Sequence, residues 1–194
     1  MSQSVLLVMD MINDLIHPDG PNGTAYAPII AKRNVIENIQ VVIQKAREAD
    51  MRIGFVRLGF SADYAQCPPG SPVFSAAPSR GLFKLGSWGT EVHSVLAPQP
   101  HDLDIVKHRV SPFYGTALEP TLRALGTKRL YLTGVSTNGV VHTGLREGHD
   151  RDYACVVVED CCAGASEEEH RNAISCMRRF GQIQLSSEVN FSAP

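Results

Sequence analysis

Short apolar runs recur along the chain, each closed by a polar or glycine-bearing stretch. Residues 5–9 (VLLVM) form a continuous run that ends at Asp10, which predicts a strand buried on both faces. The segment at 12–23, INDLIHPDGPNG, is rich in Asn, Asp, Gly and Pro and predicts a loop. From about residue 28 to 49, Val35, Ile39, Val42 and Ala46 recur at helical spacing, with Ile36 and Ile43 widening the stripe; this predicts one amphipathic helix. RIGFVRL at 52–58 predicts a second strand, and 103–106 a third that runs into Lys107. Residues 117–125 predict a helix with Leu118, Leu122 and Leu125 on one face, Pro120 being tolerable in its first turn. RLYLT at 129–133 predicts a fourth strand. GVSTNG then turns the chain into a helix reaching about 148, and ACVVV at 154–158 predicts a fifth strand. Ser166 and Glu169 make a capping box that opens a helix which Gly181 can end, and residues 184–186 predict a short edge strand.

Strands alternating with helices at this rhythm mean repeated βαβ units. The expected fold is therefore three-layer α/β/α, with a six-stranded, mostly parallel sheet covered on both faces. Residues 1–194 read as one domain, without repeat, low-complexity tract or linker. Residues 59–100 carry many prolines and glycines and little periodicity; a stretch that long in a compact domain is usually functional. In such folds ligands sit at the carboxyl ends of the strands, so chemistry is sought just after them.

Composition narrows the function classes. Eighteen Lys+Arg against twenty Asp+Glu give a net charge of −2, without the basic excess of an electrostatic nucleic-acid binder. No apolar run approaches a membrane span. The amino terminus lacks a basic region and a signal-length apolar core, so the cytoplasm is the expected compartment. Five cysteines, an odd number without a framework, favour reduced thiols. Cys162, His170 and Cys176 match no zinc spacing.

Three strand ends carry chemistry. Asp10 follows the first strand and Lys107 the third; together they can form a coupled pair in which Asp10 moves a proton and Lys107 supports its charge. Taken singly, Asp10 can equally bind its own loop's amides, and Lys107 can be an exposed residue after a strand. The Val135–Ser136–Thr137 turn after the fourth strand leads into a helix, where free N–H groups suit a carboxylate or oxyanion. It is not a P-loop, because Val140 and Val141 stand where Lys and a hydroxyl would be. Neither GxGxxG nor GxSxG occurs, and no base stands beside Ser136 or Thr137 in sequence.

LLVMDMIND, VKHRVSPFYGTALEPTLRALG, RLYLTGVSTNGVVHTGLREGHDRDY and VVVEDCCAGASEEEH, in this order, together resemble the isochorismatase-like (cysteine hydrolase) family. The resemblance spans about residues 5–187. It implies a catalytic Asp at Asp10, a catalytic Lys at Lys107 and a nucleophilic Cys at position 140, where this chain has Val140. A second departure is Ile12, where many members carry Gln. The resemblance also implies a non-proline cis peptide at 135–136, whose amide joins that of residue 140 in an oxyanion hole, and a structural Asp at Asp160.

Valine cannot form the covalent intermediate of the family's amidases. Members named isochorismatases also lack the thiol and cleave a vinyl ether by proton transfer and water. The expected activity is therefore acid–base hydrolysis of a small molecule by Asp10 and Lys107, with Val135, Ser136, Thr137, Val140 and Trp88 around the substrate. The competing expectation is a catalytically lapsed binding or regulatory protein that keeps the fold. Neither cofactor nor metal is expected: the second loop holds Asp63 but lacks the two His that some members use. The resemblance further implies a homo-oligomer, dimer or tetramer, with Phe113 and Tyr114 near the Lys strand end.

Overall fold

The computed structural model describes residues 3–191. Strands β1 (Ser4–Met9), β2 (Arg52–Leu58), β3 (Leu103–Lys107), β4 (Arg129–Val135), β5 (Ala154–Ala163) and β6 (Gln182–Gln184) form one sheet. Its order is β3-β2-β1-β4-β5-β6, and every pairing is parallel. Helices α1 (Asn13–Ile16), α2 (Gly23–Lys32), α3 (Val35–Glu48), α4 (Ala77–Arg80), α5 (Leu118–Ala124), α6 (His142–His149) and α7 (Glu167–Met177) complete it.

Strand β1 shows how the sheet acquires two cores. Successive side chains of a strand point to opposite faces. Leu6 and Val8 join Ile39, Val42 and Ala46 of α3 on one face. Val5, Leu7 and Met9 meet Leu118 and Leu122 of α5, Leu145 of α6 and Ile174 of α7 on the other. Both sets are essentially solvent-free, which is why the run reads as uninterrupted apolar. Truncating such a residue to alanine costs about 2–5 kcal/mol.

Four local expectations change. The predicted 28–49 helix is two helices: α2 starts five residues before Pro28, and Asn34, at φ 53°, breaks the chain before α3. Asn tolerates this left-handed backbone better than most residues. The predicted 12–23 loop contains α1. Helix α7 is capped by Ser166, whose hydroxyl accepts the Glu169 N–H at 3.1 Å, but it ends at Met177 rather than Gly181. Strand β6 lies two residues earlier than expected, at the sheet edge.

Two irregularities shape the carboxyl end of the sheet. Pairing of β4 with β5 jumps from Leu132↔Val157 to Gly134↔Cys162, so β5 carries a bulge around Glu159 and Asp160. The long 59–100 segment is ordered by its own apolar cluster, in which Ile12 and Leu58 meet Phe60, Phe74, Ala77, Leu82 and Phe83. Asp14 of α1 clasps this segment by accepting the Phe83 N–H at 2.6 Å. Gly89 lies so close to that carboxylate that a Cβ would meet its oxygen at 2.1 Å. Among the described residues, no helix is long and apolar enough to cross a membrane.

Candidate active site

Asp10 immediately follows β1, with φ 57°, and its N–H donates to the Val56 carbonyl at 2.8 Å. Both carboxylate oxygens are held. Oδ1 accepts the Leu58 N–H at 2.9 Å, and Oδ2 lies 2.8 Å from Lys107 Nζ. Lys107 reaches Asp10 across the end of β2; it pairs in register with Leu58, the residue that holds the other oxygen. Its ammonium also donates to the Arg109 carbonyl at 2.9 Å. Both side chains are buried. Burial pushes the Asp10 carboxyl above the ordinary carboxylate range, against the opposing pull of Lys107 and the Leu58 N–H. A carboxyl with a raised pKa can take up and deliver a proton.

The pair lies in a cavity of about 360 Å³, a size suited to a small molecule. The turn after β4 forms another wall. Gly134, at φ 120°, brings β4 so near β1 that a Cβ there would meet the Met9 carbonyl oxygen at 2.0 Å. The Val135–Ser136 peptide is cis, as the resemblance implies. Thr137–Val141 then form a π-helical turn leading directly into α6. Val135, Ser136 and Val140 line the cavity with Asp10 and Lys107.

Thr137 and Trp88 do not. Thr137 is fully buried, with its hydroxyl turned to His170 Nδ1 at 2.8 Å, so it supports the turn from behind. Trp88 is 47% exposed and stands edge-on to His17, while its carbonyl accepts the Asn13 side-chain N–H at 2.9 Å. It pins α1 to the loop outside the cavity lining. Phe113 packs inward beside Tyr153, and Tyr114 is exposed. Ile12 is buried in the loop cluster, where an apolar side chain packs well. Asp160 holds the N–H and hydroxyl of Ser186, at 2.7 and 2.6 Å. Asp63 is taken up by its own turn, accepting the Ala65 N–H.

Sequence reasoning missed other residues at the cavity. Tyr26 of α2 reaches it from one side; burial raises its phenol pKa, against a hydrogen bond with the Ser136 side chain. Arg80, exposed at the end of α4, is also a lining residue, and it forms no ion pair with the described residues. Phe74, Leu82 and Phe83 supply apolar wall. The length of the 59–100 segment was the one signal of these; nothing local singled out Tyr26 within a helical stripe.

The parallel sheet, in strand order 3-2-1-4-5-6, thus carries an Asp–Lys pair in a cavity at its carboxyl end. The chain belongs to the isochorismatase family: the isochorismatase domain model matches residues 4–188. Solved structures agree in fold. A cysteine hydrolase from Pseudomonas syringae pv. phaseolicola is 23% identical, with a TM-score of 0.86 over 96% of this chain and 90% of that one. An isochorismatase family protein from Desulfovibrio vulgaris is 22% identical, with a TM-score of 0.86 over 96% of each chain. N-carbamoylsarcosine amidase from Thermoplasma acidophilum is 25% identical, with a TM-score of 0.77 over 97% and 99%.

Proposed function

We propose that this chain hydrolyses a small anionic molecule by acid–base chemistry at Asp10, without a covalent intermediate. The observation that carries this reading is the buried Asp10–Lys107 pair, 2.8 Å apart, in the same cavity as Val140. Position 140 has no nucleophile to offer, but the proton-handling pair is intact. Its raised pKa lets Asp10 take up a proton for transfer to the substrate. Delivered to the methylene carbon of a vinyl ether, that proton makes the ether-bearing carbon electrophilic. Water adds there, and the resulting hemiketal splits into a ketone and an alcohol. Asp10 is left as a carboxylate, supported by Lys107, and regains the proton that the attacking water releases. Backbone N–H groups of residues 136 and 140 survive the exchange of thiol for isopropyl, and in this reading they meet a polar oxygen of the substrate. The unpaired Arg80 guanidinium favours an acid group on the substrate.

The test is hydrolysis of isochorismate, N-carbamoylsarcosine and nicotinamide by the wild type and by Asp10→Asn. Turnover of the vinyl ether alone, lost in Asp10→Asn, is expected. Amide turnover that matches or exceeds it would refute the non-covalent reading. Saturable binding of all three without turnover would favour a lapsed binding protein instead.

A further inference from the structure

Behind the turn after β4 lies a chain of polar groups, anchored on buried Thr137 and His170, that the proposed reaction does not use. His170 of α7 is completely buried. Its Nε2 lies 2.7 Å from Glu159 Oε1, and its Nδ1 lies 2.8 Å from Thr137 Oγ1. Arg33, at the end of α2, continues the chain: one terminal nitrogen is 2.7 Å from Glu159, the other 3.2 Å from Glu167, and Nε donates to the Cys162 carbonyl at 3.3 Å. Next to it, the Asn138 side-chain N–H donates to Glu169 of α7 at 3.1 Å. Two adjacent residues of the turn are thus gripped by two adjacent residues of one helix.

The charge states follow from the partners. The hydrogen bonds from His170 and Arg33 hold the Glu159 carboxyl down at about 2, against its burial, so it is ionised and only accepts. His170 Nε2 therefore carries a hydrogen toward Glu159, and Nδ1 pairs with the Thr137 hydroxyl. The order Thr–His–Glu resembles a nucleophilic triad, but Thr137 Oγ1 is sealed from solvent and Thr137 does not line the cavity. Its hydroxyl cannot reach a substrate there.

What Thr137 can do is fix the turn between Val135 and Val140, both of which face the cavity. The bulge in β5 makes this possible by carrying Glu159 out of the strand line toward α7. We infer that His170 is a positioning residue, which through Thr137 sets the placement of the turn that presents residues 135–140 to the substrate. This rests on the proposed reading of that turn as an anion-binding wall. Small displacements of such groups matter, because a shift of about 1 Å can cost on the order of a hundredfold in rate.

A thiol placed on the turn reports its geometry without any substrate. In Val140→Cys, the first-turn N–H groups and Lys107 lower the pKa of the new thiol, so iodoacetamide alkylates it near pH 7; site-resolved mass spectrometry separates it from the native cysteines. Adding Thr137→Val keeps the side-chain shape but removes the hydroxyl. Adding His170→Asn leaves an amide too short to span Thr137 and Glu159, whereas His170→Gln can span them. The expected result is alkylation at pH 7 slowed about tenfold by Thr137→Val and by His170→Asn, the effect of a thiol pKa about one unit higher. His170→Gln is expected to keep most of the rate. Equal rates in the Asn and Gln variants, or a folded Thr137→Val variant as fast as Val140→Cys alone, overturn the inference while leaving the proposed function standing. If Thr137→Val fails to fold, the Asn and Gln comparison decides. A thiol in Val140→Cys alone that stays unreactive near pH 7 overturns the anion-binding reading of the turn, and this inference with it.

Discussion

Replacing Lys107 with methionine isolates the electrostatics of the buried pair. Methionine fills nearly the same space but removes the ammonium 2.8 Å from Asp10. The carboxylate is then left buried with the Leu58 N–H as its remaining hydrogen-bond donor in the structure. Breaking a buried ion pair in this way costs about 3–5 kcal/mol. The carboxyl can escape part of that by binding a proton, which sets a ceiling. Holding an acid of ordinary pKa 3.8 protonated costs about 1.4 kcal/mol per pH unit above that value. The ceiling is about 4 kcal/mol at pH 7 and about 1.6 kcal/mol at pH 5. The sign follows from Asp10 having a raised pKa in the folded protein. The folded state then binds the proton more tightly than the unfolded chain, so stability is fullest below the ordinary pKa and falls as pH rises through the folded value. Without Lys107, that folded value rises further and the loss extends to higher pH. Thermal unfolding followed by circular dichroism is the assay. The expected drop in Tm is at most about 8–16 °C at pH 7 and less than half of that at pH 5, at about 2–4 °C per kcal/mol for a chain this size. A penalty equal at both pH values, or larger at pH 5, would refute an ionised Asp10 as its source.

Three further outcomes are expected. Asp10→Asn should lower kcat on a true substrate by about 10²–10⁴, the usual worth of general acid catalysis, and should also lower Tm because the buried Lys107 loses its carboxylate; steady-state kinetics on the purified, folded variant decides. Arg80→Gln should raise KM for an acidic substrate by more than it lowers kcat, and a split in the opposite sense would remove Arg80 from substrate binding. Iodoacetamide on the folded wild type should label exposed Cys176 and half-buried Cys67 first and leave activity unchanged, because burial pushes the Cys155 thiol up to about 12 and raises those of Cys161 and Cys162 as well. Peptide mapping alongside the activity assay checks both halves of that statement.

The strands were legible because a parallel strand covered on both faces must be apolar at every position, and such runs are short and sharply ended. Asp10 and Lys107 were legible for the same reason: a charge at the last position of such a run lies at the end of the sheet where ligands bind. The division between α2 and α3 was not legible, since the apolar stripe continues smoothly past Asn34, and the backbone reversal there leaves no trace in periodicity. His170 lies 33 residues from Thr137, and only the fold brings them together. Trp88 shows the opposite difficulty. A large aromatic residue near a site in sequence carries no information about which way it faces, and here His17 claims it.

The break at Asn34 separates two tasks that one continuous helix would have to share. Helix α3 buries five residues under the sheet, whereas α2 buries only Gly23 and Ile30. Anchoring therefore belongs to one helix and aiming to the other. Tyr26 on α2 and Arg33 just past its end lie about two turns apart, one at the cavity and one at the Glu159 carboxylate. Both move with α2, whose buried Ile30 joins the core beneath α3 at one point. Such a helix can be retuned to a new substrate by surface substitutions that scarcely alter the melting temperature, and a family that keeps one sheet while changing what it cleaves needs an element of that kind.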